Sequence, residues 1–263
     1  MFQRFMVFCH TLALAKLYFD KGGVIELRYE GHKLRHEYKY YINESVYYTL
    51  RERFRYVLKM DENTKNEEGY LISSLYFDDI NHSAMREKID GSRFRKKFRI
   101  RIYDRSDSLI KLECKAKYDS LISKESATLT RQEYDRILND DYDFLAQREE
   151  RVCKELLGYH HTKLLSPVSV VEYVREAYVA EEGNVRITFD KKISTSIFGL
   201  DMFDEELALS EILPPGIMVL EVKYDDFIPK AVLGLLQIAM TEKCAISKYV
   251  LCRNKNARVR YNG

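Results

Sequence analysis

Tryptophan is absent from this chain, although tyrosine occurs 20 times; neither count points to a function. Cysteine is scarce and scattered. Cys9, Cys114, Cys153, Cys244 and Cys252 are odd in number and nowhere spaced C-x-x-C, which argues against a disulfide framework and a zinc site and fits a reducing, cytosolic compartment. An excess of one charge is also lacking. The 43 Lys and Arg face 41 Asp and Glu, a formal net charge of +2, so no global field recruits nucleic acid. There is no Walker loop, no G-x-G-x-x-G and no supportable Ser/His/Asp constellation. Repeats, low-complexity segments and inter-domain linkers are missing too, so one domain is expected over residues 34–263.

Residues 1–33 are set apart from that fold. The apolar stretch Met1–Asp20 is too short, and too interrupted by Arg4, His10 and Lys16, for a spanning helix. A basic residue, an apolar run and Ala13-Leu14-Ala15 allow a signal-peptide reading. In a third reading, Lys21-Gly22-Gly23-Val24 is encoded by a purine-rich string resembling a ribosome-binding site and Leu27 by a TTG start codon. The first two dozen residues would then be untranslated, and the intact mass of the native product distinguishes the cases.

What the chain has is placement of charge. Its composition, 46% hydrophobic and 32% charged, is that of a globular domain with a sizeable core. Read with a strand's period of two, Lys97 to Tyr103 puts Phe98, Ile100 and Ile102 on one face and Lys97, Arg99, Arg101 and Tyr103 on the other. Ile110 to Lys117 splits likewise, with Lys111, Glu113, Lys115 and Lys117 opposite Ile110, Leu112, Cys114 and Ala116. An ordinary solvated face usually mixes signs, because like charges on neighbouring strands repel. A dense cationic row calls for a polyanion.

The same alternation runs along the chain. Strands are expected from Leu34 to Tyr41, Tyr70 to Phe77, Ser120 to Leu129, Val168 to Val179, Asn184 to Asp190, Ile217 to Tyr224 and Ile246 to Leu251, with a short addition at Ile193 to Ile197. Helices are expected from Glu44 to Lys59 behind an Asn43 cap, near Asn81 to Lys88, after Thr130 with Glu133 completing a capping box, from Asp143 to Leu157 closed by Gly158, and from Pro229 to Met240. His160-His161 is a weak metal candidate, because adjacent side chains on an extended segment point apart.

The expected fold is α+β: if the polar faces look outward, the helices from Glu44, Thr130, Asp143 and Pro229 fill the other side as core; if the sheet closes, it is a closed antiparallel β-barrel with helices packed on the outside and charged faces lining its lumen. That lumen would hold Arg35, Glu37, Lys39, Arg99, Arg101, Glu113, Lys115, Lys124, Arg175, Arg186, Glu221, Lys223 and Lys248. So many cations require water and anions; guanidinium forks and ammonium groups match phosphate oxygens. The interspersed glutamates offer hard oxygen ligands to Mg²⁺ or Mn²⁺. Together this is an inventory for phosphoryl transfer by positioning and charge neutralisation.

Arg35-His36-Glu37-Tyr38-Lys39-Tyr40, Ser74-Leu75-Tyr76-Phe77-Asp78, Lys88-Ile89-Asp90-Gly91, Arg99-Ile100-Arg101-Ile102-Tyr103, Leu112-Glu113-Cys114-Lys115, Val219-Leu220-Glu221-Val222-Lys223 and Ser247-Lys248-Tyr249, in that order, resemble the vacuolar transporter chaperone (VTC) domain. That domain is a polyphosphate polymerase of the triphosphate tunnel metalloenzyme (CYTH-like) superfamily. The resemblance spans about Leu34 to Leu251 and implies a β-tunnel that moves the γ-phosphate of ATP onto a growing inorganic polyphosphate chain. It implies catalytic roles for Lys39, Arg99, Arg101, Lys115 and Lys248. Triphosphate or polyphosphate would be bound by these residues with Lys124, Arg175, Arg186, Lys223 and Ser247. Glu221 would hold the divalent metal, Mn²⁺ or Mg²⁺, with Glu37 and Glu113 as further candidates. Related tunnel enzymes carry Glu-x-Glu-x-Lys on the first strand, and Arg35 stands here in place of the first Glu, which tilts the expectation from two-metal hydrolysis toward polymerisation. A triphosphatase and a non-catalytic polyphosphate-binding module remain the alternatives. The resemblance also implies a cytoplasmic protein, associated with the inner membrane face where a separate membrane-protein partner would pass the product.

Overall fold

The computed structural model describes residues 16–19, 25–29, 32–64, 68–119, 121–240 and 244–262. Lys16–Phe19 (β1), Ile25–Tyr29 (β2) and His32–Lys33 (β3) pair antiparallel in a small sheet of their own. The expectations for the leader fall mostly on residues 1–15, 20–24 and 30–31, which lie outside the described residues.

The period-two segments build one large antiparallel sheet. Its strands are His36–Asn43 (β4), Lys59–Met60 (β5), Tyr70–Asp78 (β6), Phe94–Tyr103 (β7), Ser106–Tyr118 (β8), Leu121–Leu129 (β9), Ser166–Ala180 (β10), Val185–Ser196 (β11), Leu209–Glu211 (β12) and Ile217–Tyr224 (β13). The main path runs β4-β13-β11-β10-β6-β7-β8-β9, with β12 added to β11 and β5 to β10. The strands at the two ends of this path do not close on each other through a ladder. They meet at one bridge, where Arg35 and Ile122 exchange N–H···O bonds of 3.0 and 3.1 Å. The α+β class and the large antiparallel sheet match the expectation, while hydrogen bonds join the two ends of the curled sheet at this bridge and not through the ladder of a closed barrel.

The helices are Glu44–Val57 (α1), Ser83–Ile89 (α2), Arg131–Leu138 (α3), Arg151–Lys163 (α4), Lys230–Leu236 (α5) and Lys248–Asn262 (α6). Asn43 Oδ1 accepts the Val46 N–H at 2.9 Å and starts α1; Thr130 and Glu133 form the expected capping box on α3. α1 buries Tyr47, Leu50 and Phe54 against Tyr178, Phe189 and Leu220, each fully buried aliphatic or aromatic side chain contributing about 1.5–3 kcal/mol. α3, α4 and the 3-10 turn Asp143–Gln147 cover Phe98, Ile100, Leu112 and Leu129. Both cores lie on the convex side of the curl.

Four expectations need correction. Ile246 to Leu251 is no strand: from Lys248 the chain is helical, and Lys248, Tyr249, Cys252 and Asn256 are its buried positions, a 3.6-residue pattern that a short β-branched run conceals. Nor is α6 outside. It lies with α2 against Val171, Tyr173, Ile193 and Val219 on the concave side. The single helix expected from Asp143 splits into a 3-10 turn and α4, which passes through Gly158 to Lys163; Thr162 Oγ1 donates to the Gly158 carbonyl at 2.6 Å. α5 stops at Leu236, short of Met240.

One glycine fixes the geometry around the cavity. Gly69 has φ +101°, and a Cβ there would stand 2.3 Å from the Arg175 carbonyl oxygen. Its bare backbone lets β6 enter directly beside β10. Among the described residues no helix is long and apolar enough to cross a membrane.

Candidate functional site

The concave side of the sheet encloses a cavity of about 330 Å³. Eleven of its lining residues are Lys or Arg and two, Glu37 and Glu221, are acidic. Ten residues expected at the site from sequence come together here: Lys39, Arg99, Arg101, Lys115, Arg175, Lys223, Ser247 and Lys248, with Glu37 and Glu221.

Strand register explains how part of this charge is tolerated. Opposite-sign residues face each other across neighbouring strands, as in Lys39 with Glu221, Lys223 with Glu37, Arg99 with Glu113 and Arg175 with Asp190. Glu221 draws in Lys223 at 2.5 Å, Lys39 at 3.2 Å and Lys248 at 3.9 Å. Glu37 takes Lys115 at 2.8 Å. Asp190 is held by both arms of Arg175 at 2.7 and 2.8 Å and by Lys248. Burial and Glu221 push the Glu37 carboxyl up, but Lys115, Lys39 and Lys223 outweigh them and bring it to about 2. Burial likewise opposes ionisation of Glu221, and Lys223, Lys39 and Lys248 still hold it well below the usual range. Both carboxylates are therefore charged near neutral pH.

Four expected residues stand elsewhere. Glu113 is buried behind the lining, its oxygens taken by Arg99 at 2.6 Å and Lys124 at 2.8 Å. Lys124 is 51% exposed and lies outside the cavity lining. Arg186 reaches Asp61 at 3.1 Å and the Tyr70 hydroxyl, also outside the lining. Arg35, expected to face inward, pairs at the rim with Asp225 at 3.0 Å. His160, in α4, stacks on Tyr142 just before the 3-10 turn, and among the described residues no three His, Cys, Asp or Glu gather as a metal site.

The structure adds Lys88, Arg95, Lys97, Lys117 and Tyr173 to the lining. Tyr173 receives an Arg101 N–H at 3.0 Å, and Arg175 and Lys248 lie over its ring. The alternation through Lys97 and Lys117, continued back to Arg95, was the signal for most of the others. In this part of the wall the register sets like against like: Lys97 faces Lys115, and Arg95 faces Lys117. Burial, with Arg95 and Lys88 nearby, pushes Lys97 down to about 7. Burial and Arg95 bring Lys88 to about 8, and burial brings Lys115 to about 7 although Glu37 partly offsets it.

These lysines make ligand binding proton-linked. Their folded pKa values lie below the unfolded value, so the unfolded chain holds more protons between about pH 7 and 10. Ligand-free stability should therefore rise with pH across that window. A bound polyanion restores the lysines toward their ordinary range, so binding at pH 8 should take up about one to two protons and weaken as pH rises. Calorimetry in buffers of different ionisation enthalpy measures this, and a Lys97→Met variant should take up about one proton fewer. Equal uptake by wild type and variant would remove Lys97 from the linkage.

Fold and site together define an α+β protein whose curled antiparallel sheet surrounds a cationic, phosphate-compatible cavity. The chain belongs to the VTC domain family, whose model matches residues 34–255. A comparison with curated proteins finds no match. Among solved structures, the chain is similar to the PH1819 protein of Pyrococcus horikoshii OT3, with 15% identity, 84% of this chain and 99% of that one covered, and a TM-score of 0.44. It is also similar to a Bacillus halodurans protein described as a candidate adenylate cyclase, with 12% identity, 81% and 95% covered, and a TM-score of 0.48.

Proposed function

We propose that this chain is a polyphosphate polymerase, transferring the γ-phosphate of ATP to the end of an inorganic polyphosphate chain. One observation carries the reading: among the described residues, eleven Lys and Arg side chains line a cavity whose acidic lining residues are Glu37 and Glu221. Chain growth forms a bond between a terminal phosphate oxygen and the γ-phosphorus and breaks the bond to the β-phosphate oxygen, releasing ADP. The attacking phosphate is already anionic, so what transfer asks of the protein is alignment and neutralisation of charge. Arg99 and Arg101 supply forked donors for phosphoryl oxygens. Lys39, Lys115 and Lys248 place compact charges around them.

The residues present fit a divalent metal that arrives with its substrate. Glu221 and Glu37 lie on neighbouring strands, both ionised and both facing the cavity. Thr188, opposite Glu221, buries a hydroxyl oxygen with no protein partner, leaving it for a water or a phosphate oxygen. Mg²⁺ and Mn²⁺ accept one or two carboxylates when phosphates and water complete the shell. Bound there, the metal would neutralise charge on the triphosphate. Glu113, occupied by Arg99 and Lys124, serves instead to orient the Arg99 fork. Export of the product by a separate membrane protein belongs to the same proposal.

Incubation with ATP and Mn²⁺ or Mg²⁺, followed by gel analysis, tests the reading. Long polyphosphate with stoichiometric ADP is the expected result. Free phosphate without polymer would make the chain a triphosphatase, and tight binding without turnover a polyphosphate-binding module.

A further inference from the structure

The wall of the main cavity is interrupted on one side. The β6–β7 ladder runs from Ile72–Tyr103 to Tyr76–Arg99 and ends there, while β7 continues back to Phe94 beside β8. Phe94 to Phe98 thus have β8 as their strand neighbour, and α2 instead of β6 lies along their other side. A second cavity of about 230 Å³ opens between α2, the C-terminal end of α4 and this part of β7 and β8. Arg95, Lys97 and Lys117 line both cavities.

We propose that this interruption is a side port, through which a linear phosphate chain longer than the main cavity holds passes over Arg95, Lys97 and Lys117 into the second cavity and toward Lys163. The port rests on the reading that the main cavity binds phosphate. Three features support it. Arg95, Lys97 and Lys117, which line both cavities, stand in the like-charge rungs Lys97–Lys115 and Arg95–Lys117; Glu37 answers Lys115, and an anion beside the rungs would relieve the repulsion further. Arg95 donates to the Ser92 carbonyl at 2.7 Å near Glu87, and Lys97 donates to Ser247 Oγ at 3.4 Å over the Tyr249 ring; among the described residues neither cation has a carboxylate within ion-pair distance. The second cavity carries Lys163, the last residue of α4, 4.5 Å above the Tyr159 ring.

The acidic residues there do not reverse this. Asp78 accepts N–H groups of Asp79, Ala84 and Met85 and the Tyr249 hydroxyl. Asp79 accepts those of Asn81 and Ser83, so both carboxylates serve the start of α2. Glu87 remains, a single carboxylate near Lys163 and Arg95; burial raises its pKa and those two cations oppose the rise.

Calorimetric binding of tripolyphosphate and of long-chain polyphosphate to the whole protein tests the port. Wild type should bind the long chain more tightly per molecule. Lys163→Gln, at an exposed position that should not disturb folding, should weaken the long chain by about fivefold and tripolyphosphate by less than about twofold, and Lys163→Arg should restore the difference. Equal weakening of both ligands, or of neither, would overturn the port. If wild type bound neither ligand, the reading of the main cavity would fail and the port with it. If it bound tripolyphosphate but gained nothing from chain length, the port alone would fail.

Discussion

Replacing Arg99 and Arg101 together by alanine is expected to weaken tripolyphosphate binding by roughly 10²–10⁴-fold, measured by calorimetry at fixed ionic strength. Each removes a guanidinium fork from the lining, and charge-assisted hydrogen bonds of this kind contribute about 1.5–3 kcal/mol apiece. The substitution also strips Glu113, a carboxylate 1% exposed, of the arginines at 2.6 and 3.9 Å. Lys124 alone then remains to balance it, so stability should fall as well, by about 3–5 kcal/mol. The pair Arg99→Lys and Arg101→Lys separates the two effects. It keeps charge beside Glu113 and should largely restore the fold, yet ammonium groups cannot reproduce bidentate phosphate contacts. Near-normal tripolyphosphate affinity in the alanine variant would remove this hairpin from the site.

Glu221→Gln should act in opposite directions on two readouts. Glu221 is the carboxylate around which Lys39, Lys223 and Lys248 gather. Neutralising it makes the cavity more cationic, so metal-free tripolyphosphate should bind several-fold more tightly, by about 1 kcal/mol of added attraction. Divalent-metal-dependent turnover of ATP should fall by about 10²-fold or more, because a carboxylate facing the metal–phosphate complex is lost. Thermal unfolding should show a loss from the three lysines left short of a partner, recovered on adding tripolyphosphate. Unchanged turnover would take Glu221 out of the metal's reach; weaker metal-free binding would mean that it positions the lysines instead of opposing the ligand.

Much of this site was legible in the chain because period-two alternation assigns each side chain to a face whatever the strand order. Phe98, Ile100 and Ile102 went to the covered side, and Arg99 and Arg101 to the cavity, as the pattern required. What alternation does not encode is register. That Glu113 would pair with Arg99, and that Asp190 would take both Arg175 and Lys248, follows from which residues stand opposite or reach across after folding. Hence the inward cations are answered in part by the protein's own carboxylates, whereas sequence alone suggested that ligand and water must answer them all. Register also decides whether the sheet closes, and here, among the described residues, the two ends of the sheet are bridged at Arg35 and Ile122.

The misread helix has a different cause. Ile246-Ser247-Lys248-Tyr249-Val250-Leu251 is too short for periodicity to separate strand from helix, and its residues favour strands. Packing decided otherwise. Tyr249 reaches Asp78 beside the start of α2, and Cys252 is buried three residues on. Lys248 still lines the cavity, now from the first turn of a helix. Lys88 was hidden for a related reason: it reaches the cavity from α2, outside any strand alternation.

The most direct measurement is a crystal structure of the protein soaked with tripolyphosphate. Phosphate density enclosed by Arg99, Arg101, Lys115 and Lys248, on the concave side of the sheet, is the expected result. Density confined to the outer surface, with those four side chains still paired only to Glu113, Glu37, Asp190 and Glu221, would contradict the assignment of this cavity to a phosphate chain.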